Sequence, residues 1–249
     1  MIRLIDVHKT FKGQKVLDGI DLHCRTGEIT VLLGRSGSGK SVTLKHIIGL
    51  VQPDSGQVLI EGEDITRLDS FQLNEVRRKF GMLFQDGALF DSMTVSENVG
   101  FPLKESRKFT KAEIEEKVRD SLAEVGLHGI EEKMPSELSG GMRKRVALAR
   151  AIVLAPSILL YDEPTTGLDP LMSDSINRLI QRTQARLGHT SFIISHDIES
   201  ALRIANQVAV LYQGKILIAG PPAEIRGSGD PFIQAFLSGQ HGEQFEELD

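Results

Sequence analysis

Gly34-Arg35-Ser36-Gly37-Ser38-Gly39-Lys40-Ser41 follows directly on the apolar run Glu28 to Leu33 and opens a helical pattern that continues from Lys40 to Leu50. The octapeptide satisfies G-x-x-x-x-G-K-[ST] with a strand before it and a helix after it, the context that gives the motif its meaning. Its glycines accept backbone angles that turn consecutive N–H groups toward one anion, and the start of the helix adds a positive dipole end. Lys40 then neutralises β- and γ-phosphates, Ser41 offers a hydroxyl to Mg²⁺, and Val42 is the next residue of the cradle. A plain glycine-rich turn is the competing reading, and the flanking strand and helix weigh against it.

Working outward, short apolar runs at Phe80 to Phe84, Ser157 to Tyr161, Thr190 to Ser195 and Val208 to Tyr212 alternate with helical patterns, some opening near Asp169 and Asp197. That alternation predicts parallel strands joined by crossover helices, with ligands at the carboxyl ends of the strands. Ile158-Leu159-Leu160-Tyr161 ends in Asp162 and Glu163, which point oppositely as strand neighbours and so suit different tasks. Asp162 suits Mg²⁺ held through water, and Glu163 suits polarising the water that attacks a γ-phosphate. Alone, such a pair reads as a solvated turn; beside a phosphate loop it reads as part of a site. His196, at the end of another apolar run, is a candidate γ-phosphate reader, although a lone histidine at a strand end is more often a surface residue. Gln85, after the Phe80 run, is either a plain loop glutamine or an amide completing the Mg²⁺ or water shell.

Leu138-Ser139-Gly140-Gly141-Met142 precedes a helix-forming run, Arg143 to Ala151, with Ser139 placed as an N-cap. This makes a second anion site, and one nucleotide needs only one such cradle; a second copy of the chain resolves the mismatch. The set GRSGSGKS, Gln85, LSGGM, ILLYDEP, Gly167-Leu168-Asp169 and Ser195-His196, in this order, resembles the ATP-binding cassette ATPases over residues 1 to about 228. The resemblance implies a P-loop NTPase (RecA-like) α/β core with an antiparallel β region and an inserted helical subdomain. It implies a head-to-tail pair with ATP and Mg²⁺ sandwiched between the Gly34 to Ser41 loop of one copy and the Ser139 to Met142 signature of the other. It further implies Phe11 stacking on adenine, with a strand-end core phenylalanine as the competing reading. Lys40 and Ser41 bind phosphate and metal, Gln85 senses them, Asp162 supports the metal, Glu163 is the catalytic carboxylate and His196 the switch. Asp169 lies in a loop touching the opposite copy and, by its own sequence, caps a helix with Pro170 in the first position; both can hold.

Met142 departs from the family, whose signature usually ends in glutamine, and a thioether lacks the amide's hydrogen bonds. With the run Phe84 to Val99, it resembles the ATPase subunits of the Mla (Mce-associated) phospholipid-transport systems of Gram-negative bacteria. That implies a motor on the cytoplasmic face of the inner membrane, peripheral through permease subunits, with a small cytoplasmic regulator and a periplasmic lipid-binding subunit as further partners. Transport of another substrate, such as an amino acid or a lipoprotein, is the alternative, and a non-transport cassette acting on ribosomes or DNA a more distant one. A GTPase is disfavoured, because N-K-x-D, T-K-x-D and D-x-x-G are all missing from the sequence.

Composition agrees with a globular chain: 249 residues, 40% hydrophobic, 25% charged and 5% aromatic, with a net charge of -5 that offers no general field for nucleic acid. The single Cys24 closes no internal disulfide, the start lacks an apolar leader, and the apolar runs fall short of the roughly 18 residues a membrane span needs. Arg77-Arg78-Lys79 and Arg143-Lys144-Arg145 read as solvated helix faces. Leu89, Phe90, Met93, Val95 and Phe101 form an apolar, turn-rich segment that is either a groove for a partner's short helix or the seed of a helical core.

The expected organisation is a nucleotide-binding core of residues 1–85 and 156–229, a helical signature subdomain of 86–155 that includes the Gln85-following loop, and a C-terminal helix and tail of 230–249. Asp230 and Pro231 start that helix, which packs on the cassette through Phe232, Ile233, Phe236 and Leu237. Residues 240 to 249, polar and acidic, are expected to reach a neighbouring subunit, with disorder as the alternative.

Overall fold

The computed structural model describes residues 1–239. Two long strands, β1 (Ile2–Phe11) and β2 (Gln14–Cys24), open the chain as an antiparallel hairpin. β3 (Ile29–Gly34) then starts a second sheet, while β4 (Ser55–Ile60) and β5 (Glu63–Asp64) return to the first and complete the order β2-β1-β4-β5. The second sheet adds β6 (Phe80–Leu83), β7 (Ile158–Asp162), β8 (Thr190–Ser195), β9 (Gln207–Tyr212) and β10 (Lys215–Gly220), in the order β10-β9-β3-β8-β7-β6. All its pairings are parallel except that of β10 with β9.

The apolar strands of this second sheet are continuous because both faces are covered. Ile29, Val31 and Leu33 of β3 point into one hydrophobic cluster and Leu32 into the other; Tyr161 and Leu160 of β7 divide the same way. On the Leu32 face lie the antiparallel sheet and the helices α1 (Lys40–Ile47) and α2 (Ser70–Arg77), through Leu44, Ile47, Leu73 and Val76. On the opposite face lie α3 (Val95–Ser106), α4 (Lys111–Glu124), α5 (Gly140–Ile152), α6 (Pro170–Leu187), α7 (Ile198–Ile204), α8 (Pro222–Arg226) and α9 (Pro231–Leu237). Helix starts are chemically marked: Asp69/Gln72, Thr94/Glu97 and Thr110/Glu113 each form a reciprocal capping box. At Gly81 of β6 a side chain would collide with the carbonyl of Ala151, so α5 ends pressed against that strand.

The structure adds elements that the expectations omitted and corrects one. β10 is an edge strand whose Ile216 and Ile218 alternate with more exposed neighbours, a weak signal in so short a run. Arg77 is not on a solvated face: it donates to the carbonyls of Ile48 (3.3 Å) and Gly49 (2.7 Å), which end α1. α9 packs as its spacing predicts, with Ile233 buried and the Phe232 ring 4.6 Å edge-on from Tyr212. The expectation for residues 240–249 lies outside the described residues. No described helix is long and apolar enough to cross a membrane.

Candidate active site

The Gly34 to Ser41 loop leaves β3 at its carboxyl end and enters α1 through Gly39, whose left-handed φ of 107° only glycine adopts without strain. A side chain there would meet Leu17 at 2.8 Å and the Val16 carbonyl at 3.0 Å, and one at Gly34 would meet the Ser38 hydroxyl at 2.5 Å. Gly39 supplies no side-chain cap, so the first N–H groups of α1 are not consumed by a local acceptor. Lys40 is 6% exposed; its Nζ donates to the carbonyls of Gly34 (2.7 Å) and Arg35 (3.2 Å) and lies 3.4 Å from Glu163 Oε1. Ser41 stands exposed in the first turn, and Val42 packs against the core behind it.

Sheet order brings the remaining groups to this loop. β8 lies beside β3 and β7 beside β8, all parallel, so Gly34, Ser195 and Asp162 end on one edge. Glu163 there adopts a left-handed φ of 47°, a conformation that costs a non-glycine residue energy and that clusters at functional positions. Its N–H donates to the Ile194 carbonyl at 3.0 Å. Its Oε2 accepts from the Nδ1 of His196 (2.8 Å), the N–H of His196 (3.2 Å) and the hydroxyl of Thr166 (3.5 Å). One carboxylate is thus held between a lysine and a histidine from two other loops. Asp162 is half-buried; burial pushes its pKa up, the Glu163 charge adds to this, and Lys40, Lys45 and Lys144 oppose it. The half-buried Asp162 carboxylate, the exposed Ser41 hydroxyl at the start of α1 and the exposed Gln85 amide after β6 are hard oxygen donors of the kind that suit Mg²⁺. No cluster of three or more His, Cys, Asp or Glu forms a metal site among the described residues.

Gln85 follows β6, the parallel neighbour of β7, and so reaches the same edge, while the remaining predicted residues lie on other elements. The Gln85 side chain is exposed, while its carbonyl accepts from Lys144 Nζ. Ser139 caps α5, its hydroxyl accepting from the Met142 N–H at 3.3 Å, and its tetrapeptide shares no hydrogen bond with Lys40, Asp162, Glu163 or His196 among the described residues. Gly140 is half-buried, Met172 Cε fills the space a side chain at Gly141 would need, and Met142 packs partly against the core. Asp169 caps α6, accepting from Leu171 and Met172 N–H at 3.0 Å each. Phe11 ends β1 with 41% exposure and Lys9 Nζ 5.3 Å from its ring centre. A cleft of about 400 Å³ beside the phosphate loop is lined by Gln14 to Val16, Arg35 to Ser38 and Tyr212 to Gly214, without Phe11.

Two groups escaped sequence reasoning. Lys144 is 6% exposed rather than on a solvated face, and Arg150 donates to the carbonyls of Gly87 (2.7 Å) and Ala88 (2.8 Å). The signal for Lys144 was its helical spacing from Gly141, Ala147 and Leu148, all on the buried side of α5. The apolar stretch around Gln85 is unevenly buried. Val95 is fully buried with Val99 and Leu103, whereas Phe84, Phe90 and Leu154 remain about 40% exposed. They line an apolar groove of about 420 Å³ with Phe80, Phe101 and Pro102.

With this geometry in place, resemblances to known proteins acquire meaning. A family model described as ABC transporter matches residues 17–166. The chain is 43% identical over 232 residues to the "Probable ribonucleotide transport ATP-binding protein mkl" of Mycobacterium tuberculosis, covering 93% of this chain. It spans only 65% of the length of that relative. It is 42% identical over 240 residues to the "Intermembrane phospholipid transport system ATP-binding protein MlaF" of Haemophilus influenzae, covering 95% of this chain and 91% of that one. The Escherichia coli protein of the same name is 38% identical over 96% of this chain and 89% of its own. Among solved structures, the dimeric post-hydrolysis form of the ATP-binding cassette MJ0796 with ADP and Pi superposes with a TM-score of 0.81, at 32% identity, covering 89% of this chain and 99% of that one. cbiO1 of Clostridium perfringens, part of the ABC transporter complex cbiONQ, superposes with a TM-score of 0.86, at 29% identity, over 99% of this chain and 97% of its own. The chain belongs to the ABC transporter family of ATP-binding cassettes.

Proposed function

We propose that this chain is the ATP-hydrolysing motor of a transporter that moves phospholipid between the inner and outer membranes of a Gram-negative envelope. The observation that carries the ATPase reading is the convergence of Lys40, Glu163 and His196 from the ends of three adjacent strands. Amides of the Gly34 to Ser41 loop and Lys40 hold the phosphates of ATP. Glu163, fixed by His196, takes the proton of the attacking water, a role worth roughly 10²–10⁴ in rate. His196 bridges that carboxylate and the γ-phosphate. Ser41, Asp162 and Gln85 would hold Mg²⁺, which supplies charge neutralisation to the phosphates when bound.

Ser139 to Met142 of a second copy close the nucleotide from the other side, Asp169 touches that copy, and Phe11 contacts adenine. Residues 86–155 form the subdomain that carries the signature, set into a core of 1–85 and 156–229. The groove at Phe84, Phe90 and Leu154 seats a short helix of an integral permease subunit, which holds the chain on the cytoplasmic face of the inner membrane. A small cytoplasmic regulator and a periplasmic lipid-binding subunit complete the assembly.

The phospholipid substrate rests on the 42% identity with the Haemophilus influenzae protein over nearly its whole length. A ribonucleotide is the rival cargo, favoured by the 43% identity with the mycobacterial protein. Co-expression with the neighbouring permease genes, followed by mass spectrometry of what co-purifies and an ATP-dependent transfer assay between vesicles, decides between them. Bound phospholipid and ATP-driven lipid transfer are expected; nucleotide cargo without lipid transfer would establish the rival.

A further inference from the structure

We propose that Lys144 is a positioning residue that ties the signature helix α5 to the main chain of the Gln85 loop, so that both move on nucleotide as one body. The inference rests on the ATPase reading above and concerns a residue that touches neither phosphate nor water in it.

Three contacts define the tie. Lys144 Nζ donates to the carbonyl of Gln85, and further along the same helix Arg150 donates to the carbonyls of Gly87 and Ala88. Two cations of one helix therefore hold three carbonyls of the four-residue stretch 85–88. The loop lies hard against α5: a side chain at Gly87 would stand 3.3 Å from Ala147 Cβ, and Gly87 and Ala88 have left-handed φ values of 78° and 47°. Ala88 holds that angle at a cost glycine would not incur, and the two Arg150 hydrogen bonds offset it.

A buried ammonium is expensive, and a neutral donor of similar length would reach a carbonyl without that cost. Burial accordingly pulls the Lys144 pKa down, while Asp86, Asp162 and Glu163 act on it through space in the opposite sense. The charge thus sits where the Gln85 loop faces the acidic end of β7. Arg150 also lines the apolar groove beside Phe84 and Phe90, and its guanidinium lies 6.0 Å from the Phe90 ring centre. Whatever seats in the groove presses on a loop whose main chain is fastened to α5, and Ser139 caps the start of that helix. The groove and the signature are thereby linked through side chains of one helix.

The test uses the full chain with its permease partners and the variants Lys144→Met and Lys144→Arg. Amide hydrogen exchange of residues 84–90 is measured without nucleotide, and steady-state ATP hydrolysis gives kcat and KM separately. Lys144→Met is expected to speed exchange in that segment and to lower kcat by about tenfold, with ATP affinity within about twofold of the parent. Lys144→Arg, which keeps a cationic donor, is expected to restore both. Should Lys144→Met fail to fold, Lys144→Leu carries the same expectation. A Met or Leu variant with parental exchange and kcat would overturn the tie, as would an Arg variant as impaired as the Met one. Parental turnover that Glu163→Gln abolishes, alongside an unaffected Lys144 variant, removes the tie and leaves the ATPase reading standing. A parental complex whose turnover ignores Glu163→Gln removes that reading instead.

Discussion

The molecule carries two serine-glycine turns that each open a helix, and they are built differently. At Gly39 the helix has no side-chain cap, the glycine is held at a φ of 107° by close neighbours, and Lys40 is buried among its own carbonyls and Glu163. At Ser139 the helix is capped by its own serine, whose exposed hydroxyl is taken by the Met142 N–H. The first turn leaves its amides open, sets its own Lys40 against Glu163, and lies beside Asp162 and His196 from the neighbouring strand ends. The second satisfies itself locally and gathers none of them among the described residues. Similar local sequence thus yields a furnished anion site in one place and half a site in the other, because only the first lies at the edge where β3, β8 and β7 end together.

Breaking the furnished half has the largest expected effect. Glu163→Gln should lower phosphate release by roughly 10²–10⁴ while ATP still binds, since the amide keeps the shape and loses the base. Stopped-turnover assays with a nucleotide-binding control check this, and near-parental turnover would remove Glu163 from the chemistry. Next, Lys40→Ala deletes a charge-assisted contact worth about 1.5–3 kcal/mol, so ATP affinity should fall by roughly 10- to 100-fold, read by titration calorimetry.

Comparison of the two halves sharpens when their defects are mixed. Ser139→Phe should leave ATP binding to the single chain intact yet stop turnover. Combining it with Lys40→Ala should recover turnover, because a mixed pair contains one composite site with neither defect. Absence of recovery in proven mixed pairs would mean that each chain completes its own pocket. The smallest effect tests the capping itself: Ser139→Ala should cost about 1 kcal/mol in denaturant unfolding through the lost cap. A change at Gly39 cannot be read in that way, since no side-chain cap exists there to remove.

Much of the site is legible in the sequence. The phosphate loop, the Asp162-Glu163 strand end and His196 are each local patterns, and the structure places them on one edge. The helix starts at Ser139, Asp169 and Asp230 were likewise readable as caps from local sequence. Lys144 was misread because a basic triplet on a helix suggests solvent. Its burial depends on the Gln85 loop folding over that face, a contact 59 positions away in sequence. Arg77 was misread for the same reason, its carbonyl partners lying 28 and 29 positions away. The apolar segment after Gln85 could not be apportioned by composition. Val95 and Phe90 look alike as hydrophobic residues, and only the packing of α3 against α4 and α5 separates the buried one from the exposed one.

By itself, the chain's order of residues determined which short pieces would be strands, turns and capped helices, and which side chains could bind phosphate, because those properties depend on neighbours a few residues apart. Tertiary structure alone decided that β3, β8 and β7 lie side by side, that Lys40 meets Glu163, and that two cations of α5 fasten the Gln85 loop. Those are pairings between distant segments, selected by covering both faces of one buried sheet, and no local pattern encodes which distant partner will be there.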